Sequence, residues 1–492
     1  MTNLNIRIRN KHPSGIWVLA IGYALFIYAY IEINALLVLF STQYLHLSTT
    51  YSYSLFGAFN ALVFTSPLLG GYISEKFGHK YAAAVGVFIS MIGICILSVE
   101  HIYYFYLGLA IYIVGYGICT PAYFCLVGLC YAKEDSRRES GYTAFYLIFN
   151  IGSIIASITG GYTSTLFGYR FAFVLAAIAL FVQLILFVCT AHHIKPHLGR
   201  SMEPQIKMKP FPIVGSLIGI ALIVSPCVIP LLRFPFINNA ILWILTMGSG
   251  VGVIWFSAVQ RKKIARFKLF AYILLTTVSL AFWALYMLEA SLMTIFAEYN
   301  VNRQLFGMLI PPSVFYGLDP LGVIVIGIFF TWLWRYLSER NRDLSLPGKF
   351  TASLIAMGIG YLIFSLGLQF VDNHYLVHPI WLVFGYVFLT AAELLISPIG
   401  LSMVGRLSPE GKEGTLMGVW TLFTGFGAVL SGYLANLTVI NTTNPVSTNP
   451  VYSKYFIAFG SASILIGIII AFFVPKIRRL IEIKVLTIRH NS

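Results

Sequence analysis

Residues 71–80 read Gly71-Tyr72-Ile73-Ser74-Glu75-Lys76-Phe77-Gly78-His79-Lys80, a short charged interruption where the apolar stretch 51–73 gives way to the stretch 80–99. Each flank is long enough to cross a bilayer as a helix, which takes about 20 apolar residues. So brief an interruption can only be a turn between two such helices. Within it, Gly71 is placed to allow close helix approach, Glu75 to pair with a cation at the membrane face, and Gly78 to permit a tight turn. Lys76 and Lys80 are charges of the kind that collect on the cytoplasmic side.

The rest of the chain repeats this pattern. Of its 492 residues 58% are hydrophobic and only 10% charged, and the mean hydropathy is +0.83. A soluble domain carries roughly a quarter of its residues as charges, so a soluble enzyme is excluded. Fourteen apolar stretches are predicted, beginning with 16–42 and 51–73, with the ninth at 267–298, the tenth at 307–334 and the twelfth at 378–405. The first follows Arg7, Arg9 and Lys11, but it is too long for a signal-peptide core and lacks a small-residue cleavage site, so it reads as a retained helix.

The formal net charge of +15 would suggest nucleic acid on a soluble chain. Here it follows topology. With the N-terminus inside, the cytoplasmic segments carry 28 of the 32 Lys and Arg, leaving Arg170, Arg233, Arg303 and Lys454 outside. Both termini are therefore expected in the cytoplasm. The longest polar loops, 192–209 and 261–268, bracket spans seven and eight and divide the chain as six, two, six. The expected organisation is an N-terminal six-helix bundle (1–194), linkers with an extra hairpin (195–266), a C-terminal six-helix bundle (267–475) and a basic amphipathic tail (476–492). Six plus six is the architecture of a major-facilitator transporter, an all-α integral membrane fold of 12 core helices, here 14 in total, with its site near the bilayer midplane.

The segment 71–80 resembles the loop motif of the major-facilitator superfamily. More specific stretches are similar to proton-dependent oligopeptide transporters: the run from Tyr53, Arg137-Arg138 followed by Phe145 to Ser153, Phe282-Trp283-Ala284-Leu285-Tyr286, Ile310-Pro311-Pro312-Ser313, Asp319-Pro320, Glu393 to Met403, and Met417-Gly418-Val419-Trp420. The resemblance runs from about Ala35 to Pro475 and implies a bacterial inner-membrane, multi-pass carrier of di- and tripeptides that works by proton symport. It needs no cofactor beyond the proton as coupling ion, and it is expected to be monomeric, with partners limited to solute and lipid.

The resemblance also shows what this chain lacks. Family members carry a Glu-x-x-Glu-Arg cluster on the first helix, where this chain has Tyr23, Phe26 and Ile27. The carboxylate-binding arginine is Asn34, the fourth-helix lysine is Thr120, and the ninth-span glutamate is Met287. What carries over residue by residue as substrate-binding is Tyr30, Asn150, Glu393, Ser397 and Trp420, joined by Asn34 and by Asp319, which stands where the family has asparagine.

Charges inside a bilayer cost roughly 2.5 to 3.5 kcal/mol each on insertion scales, so the few that remain need a reason. Glu32 and Glu393 are the coupling candidates, with Glu32 expected to face a cavity beside Tyr30 or to hydrogen-bond to a neighbouring helix. Asp319 reads as a helix cap or a ligand-facing acid. Glu289 lies two residues beyond Met287, and on a regular helix that rotates it by about 200 degrees, so it is not expected to replace the missing acid. The lost groups are mostly cations and the kept ones acids, which points to amine-bearing solutes without an obligatory carboxylate. The alternatives are a facilitator of another solute and a non-transporting sensor or scaffold of the same fold. No zinc, P-loop or Ser/His/Asp pattern is present to suggest an enzyme or a metal site, and the six cysteines have no metal-ligand spacing.

Overall fold

The computed structural model describes residues 12–131, 135, 137–195, 206, 209–305, 307–340, 344–409 and 412–488. Of the basic residues counted in the charge argument, Arg7, Arg9, Lys11, Lys133, Arg200, Lys207, Arg342 and Arg489 lie outside the described residues. Among the described residues, fourteen helical segments are long and apolar enough to cross a membrane, as the sequence predicts. A bilayer offers no water to backbone N–H and C=O groups, so each crossing segment closes its own hydrogen bonds as a helix.

The first seven long helices are α1 (Ser14–Leu39), α2 (Thr49–Phe77), α3 (His79–Leu97), α4 (Ile102–Leu129), α5 (Arg137–Phe167), α6 (Tyr169–Thr190) and α7 (Pro210–Arg233). They are followed by α8 (Pro235–Ala258) and α9 (Lys263–Tyr286). A turn then leads to the short α10 (Leu292–Asn300), a two-residue hairpin of β1 (Gln304–Leu305) and β2 (Met308–Leu309), and the short α11 (Pro312–Tyr316). The chain ends with α12 (Leu318–Glu339), α13 (Leu346–Gly367), α14 (Ile380–Leu407), α15 (Glu413–Asn436) and α16 (Pro445–Ile488).

The chain forms two compact units. One comprises residues 1–40 and 62–234, the other 41–61 and 235–492. Segment 195–266 thus contributes span seven to the first unit and span eight to the second, and α2 contributes its first half to the second unit and its second half to the first. In the first unit α3 packs along α4, and α1 along α5 and α6. In the second, α13 packs against α14 and α16, α9 against α15, and α12 against α14. Spans one, four and nine are largely buried, whereas seven, eight, ten and fourteen expose most of their apolar length, the surface a hydrocarbon solvent would cover.

The turn at 71–80 is as tight as predicted. Gly78 takes a φ of 91° and precedes α3, a conformation that costs glycine little and other residues more. The close helix approach, however, belongs to the preceding glycine. A Cβ on Gly70 would fall 1.8 Å from the Gly117 carbonyl oxygen, whereas one on Gly71 would meet only Pro121 Cβ at 3.9 Å. The Lys80 ammonium donates to the Ala191 carbonyl at 3.0 Å, and the Lys76 ammonium sits 5.4 Å from the Tyr72 ring centroid. Glu75 is exposed and, among the described residues, makes no ion pair; its charge is felt instead at His79.

Candidate functional site

Three acids of the second unit are brought together. Asp319 stands in the first turn of α12, where the helix dipole favours a negative charge. Side chains hold its carboxyl: the Tyr286 hydroxyl at the end of α9 donates to Oδ2 at 3.0 Å, and Thr390 Oγ1 of α14 donates to Oδ1 at 2.9 Å. Glu393 lies three residues beyond Thr390 on the same helix, within hydrogen-bonding reach of Asp319. Asp319, Thr390 and Glu393 are all buried. Gly322 lets α12 and α14 close on one another here, since a Cβ on it would come within 2.7 Å of Thr390 Oγ1.

The third acid is Glu289, which is 1% exposed and interacts electrostatically with both Asp319 and Glu393. The expectation from helical rotation assumed a continuous helix here. Span nine is not continuous: α9 stops at Tyr286, residues 287–291 form a turn, and the chain resumes as α10. In the turn the backbone tightens to bonds three residues back, with Leu288 N–H on the Leu285 carbonyl and Glu289 N–H on the Tyr286 carbonyl, each at 3.1 Å. A residue in such a break is no longer at the angle a regular helix assigns it.

The remaining candidates of this unit lie further along the same framework. Ser397 is half-buried one turn past Glu393. Trp420, on α15, is buried against Gly400 of α14, where a Cβ would fall 2.3 Å from its ring, and packs edge-on to Phe350 at 6.4 Å. Sequence reasoning missed the donors Tyr286 and Thr390. A Thr or Tyr inside an apolar span has no local signature, and the partners lie 33 and 71 residues away.

In the first unit two positions of the missing charged cluster, Tyr23 and Phe26, are filled by rings and the third by Ile27. Tyr23 packs against Phe26, Tyr123, Phe124, Phe145 and Phe149 with centroids 5.0 to 5.9 Å apart. Phe26 stacks on Tyr116 at 5.3 Å, and Tyr30 lies against the same Tyr116 at 5.3 Å. Thr120, in place of the family lysine, lies beside Tyr23 and Tyr116. Asn34 donates to the Tyr30 carbonyl at 3.4 Å and Asn150 to the Tyr146 carbonyl at 2.8 Å, both one turn back on their own helices.

Glu32 points elsewhere. Tyr30 meets α4, but Glu32 meets α5, where a Cβ on Gly160 would fall 2.9 Å from its Cγ. It is fully buried, and neither carboxyl oxygen has a hydrogen-bond partner among the described residues. One turn away Tyr28, which interacts with it electrostatically, shares a hydrogen bond with Thr159 at 2.8 Å. Glu32 thus packs against α5 rather than beside Tyr30, without the hydrogen bond to a neighbouring helix that was its other expected role.

Known proteins resemble this arrangement over nearly its whole length. Residues 80–454 match the PTR2 family, described as the POT family. Dipeptide and tripeptide permease B of Yersinia enterocolitica is 29% identical over 472 residues, which cover 92% of this chain and 93% of that protein. The permease B of Salmonella typhimurium is 29% identical over 463 residues, with coverage of 92% and 93%. Among solved structures, a peptide transporter POT in complex with sulfate superposes with a TM-score of 0.82 at 24% identity over 96% of each chain. A tetrameric peptide transporter gives 0.83 at 21% identity, covering 95% of this chain and 99% of that one. The fold is that of the POT transporters, within the major-facilitator class.

Proposed function

Because the chain belongs to the POT family of transporters, we propose that it carries di- and tripeptides or related small amine-bearing solutes across a bacterial inner membrane by alternating access, as a monomer with both termini in the cytoplasm. The observation that carries this reading is the Asp319–Glu393 pair, buried in stretches, 304–334 and 350–405, that contain no Lys or Arg. Such a pair is complementary to an ammonium group, which would offset the cost of keeping carboxyl groups away from water. Asn34 and Thr120, in place of the family's cations, leave a substrate carboxylate without its usual partners. Amides and blocked peptides are therefore preferred over free peptides.

In this reading Asp319, Glu393, Ser397 and Trp420 form the solute-facing set of the second unit, with Tyr30, Asn34 and Asn150 in the first. The segment Gly71, Glu75, Lys76, Gly78 and Lys80 serves as the hinge loop at the cytoplasmic face. Coupling uses the proton and no cofactor, with Glu393 the main acid and Glu32 a second. Uptake into proteoliposomes tests the substrate class: di-alanine amide should accumulate more strongly than di-alanine, and the reverse order refutes it. Glu393→Gln should abolish uphill accumulation under an imposed pH gradient, and unchanged accumulation would remove Glu393 from coupling. A second reading, a facilitator without coupling, draws on the aromatic packing around Tyr23; it predicts equilibration of the amide with no response to the gradient.

A further inference from the structure

We propose that the first unit carries a further binding site, entered from the lipid phase, that takes a primary amine on an alkyl chain: a groove between α1, α5 and α6 holds the chain, and Tyr28 and Glu32 hold the nitrogen. The inference is independent of the solute reading above, which rests on Asp319 and Glu393 of the second unit. A cavity of about 370 Å³ opens on these three helices, with Ile21, Ile151, Ile155 and Ile178 among its apolar lining. Each of the four is about half exposed, and apolar surface on a crossing helix faces hydrocarbon rather than water. Along α5 the groove runs from Ile148 to Thr159, about 16 Å at the helical rise, which is room for an extended alkyl chain of medium length.

The polar side chains in that lining are Tyr28 and Thr159. Thr159 Oγ1 donates its one proton to the Ile155 carbonyl at 2.7 Å, so in the 2.8 Å contact between the two hydroxyls the phenol is the donor. The phenol oxygen is left as an acceptor. Glu32 follows Tyr28 by one turn of α1, and the two meet consecutive residues of α5. Tyr28 meets Thr159, and Glu32 lies against Gly160, where a Cβ would fall 3.4 Å from Oε1. The carboxyl is wholly buried, and neither oxygen has a hydrogen-bond partner among the described residues. No Lys or Arg occurs in residues 12–75, 139–169 or 171–194. The site therefore offers unused acceptors and no cation, which is costly in hydrocarbon and complementary to a head group rich in N–H donors. An amine arriving uncharged from the lipid takes the carboxyl proton onto its nitrogen. The product is an ammonium beside a carboxylate, the net charge of the site is unchanged, and the N–H groups find the phenol oxygen and the carboxylate as acceptors.

Photolabelling of the purified full chain in phosphatidylcholine vesicles, with dodecylamine carrying a diazirine on its chain, reads the site directly. Labelling should saturate, and peptide mapping should place the adduct within residues 148–159 or 175–179. Unlabelled dodecylamine should displace the probe at concentrations at least about tenfold below those needed with dodecanol, the advantage that one charge-assisted hydrogen bond supplies. Glu32→Gln should remove that advantage while dodecanol still displaces the probe, which shows that the groove of the variant is intact. Ala179→Phe, which fills the groove, should lower labelling whichever competitor is present. Labelling that does not saturate or that spreads over the other lipid-facing spans overturns the site, as does displacement by the amine and the alcohol at equal concentrations. An amine advantage that survives in Glu32→Gln overturns the role of the carboxyl. None of these outcomes bears on di-alanine amide uptake, so the proposed function stands or falls separately.

Discussion

At the residue scale, Asp319 depends on two neutral donors, and the consequence of losing one can be weighed. Thr390→Val is nearly isosteric but leaves Oδ1 of a buried carboxyl without its hydrogen bond, which costs about 1 to 3 kcal/mol. The expected outcome is a lower thermal unfolding temperature in detergent together with reduced amide uptake; an unchanged melting curve would show that Thr390 does not support Asp319. A second acid, Asp372, lies in the loop between α13 and α14, outside the spans. Burial is the largest single influence and raises its pKa, but hydrogen bonds from Leu376 N–H (2.9 Å), His374 N–H (2.8 Å) and Asn302 Nδ2 (3.0 Å) together outweigh it and hold the carboxyl below its ordinary value. A depressed carboxylate contributes stability that is fully present above the ordinary carboxylate range and is lost as pH falls through the lowered value. Asp372→Asn should therefore lower stability at neutral pH and narrow the gap to wild type on acidification to about pH 3, near the ordinary carboxylate pKa. Melting curves across that range check it, and a gap that widens in acid would contradict it.

At the element scale, what the sequence made legible depended on whether the deciding physics is local. Hydropathy locates all fourteen crossings because each must satisfy its own backbone, and the Gly78 turn is visible because a positive φ selects glycine. The break after Tyr286 is not visible in this way. Met287, Leu288, Glu289, Ala290 and Ser291 include neither Gly nor Pro, so nothing local interrupts the pattern, and the rotation assigned to Glu289 assumed an unbroken helix. Glu393 and Trp420 could be found through family resemblance, whereas Tyr286 and Thr390 appear only once α9, α12 and α14 are assembled. The α2–α4 crossing gives the same lesson, because the sequence motif drew attention to Gly71 while the contact is made one residue earlier. Gly70→Ala places a methyl against the backbone of Gly117, which no rotamer change relieves. Overpacking of this kind costs about 1 to 3 kcal/mol or more. Gly71→Ala should be well tolerated, and equal melting temperatures for the two variants would refute the assignment.

At the scale of the whole molecule, charge separates into two functions that a single net value conceals. The basic excess lies in the segments between spans, where it sets orientation, and the buried acids Asp319 and Glu393 lie within hydrogen-bonding reach of each other in stretches, 304–334 and 350–405, that contain no Lys or Arg. The orientation half can be tested without knowing the solute. In a background with the six native cysteines replaced, Thr443→Cys lies in the exposed segment between α15 and α16, and Glu413→Cys lies at the exposed start of α15. With 28 of 32 basic residues on one side, the first should react with a membrane-impermeant maleimide in intact cells, and the second only after permeabilisation. The opposite labelling order would place the basic segments outside. It would also turn the loop at 71–80 to the outer face, removing the basis for reading that loop as a cytoplasmic hinge.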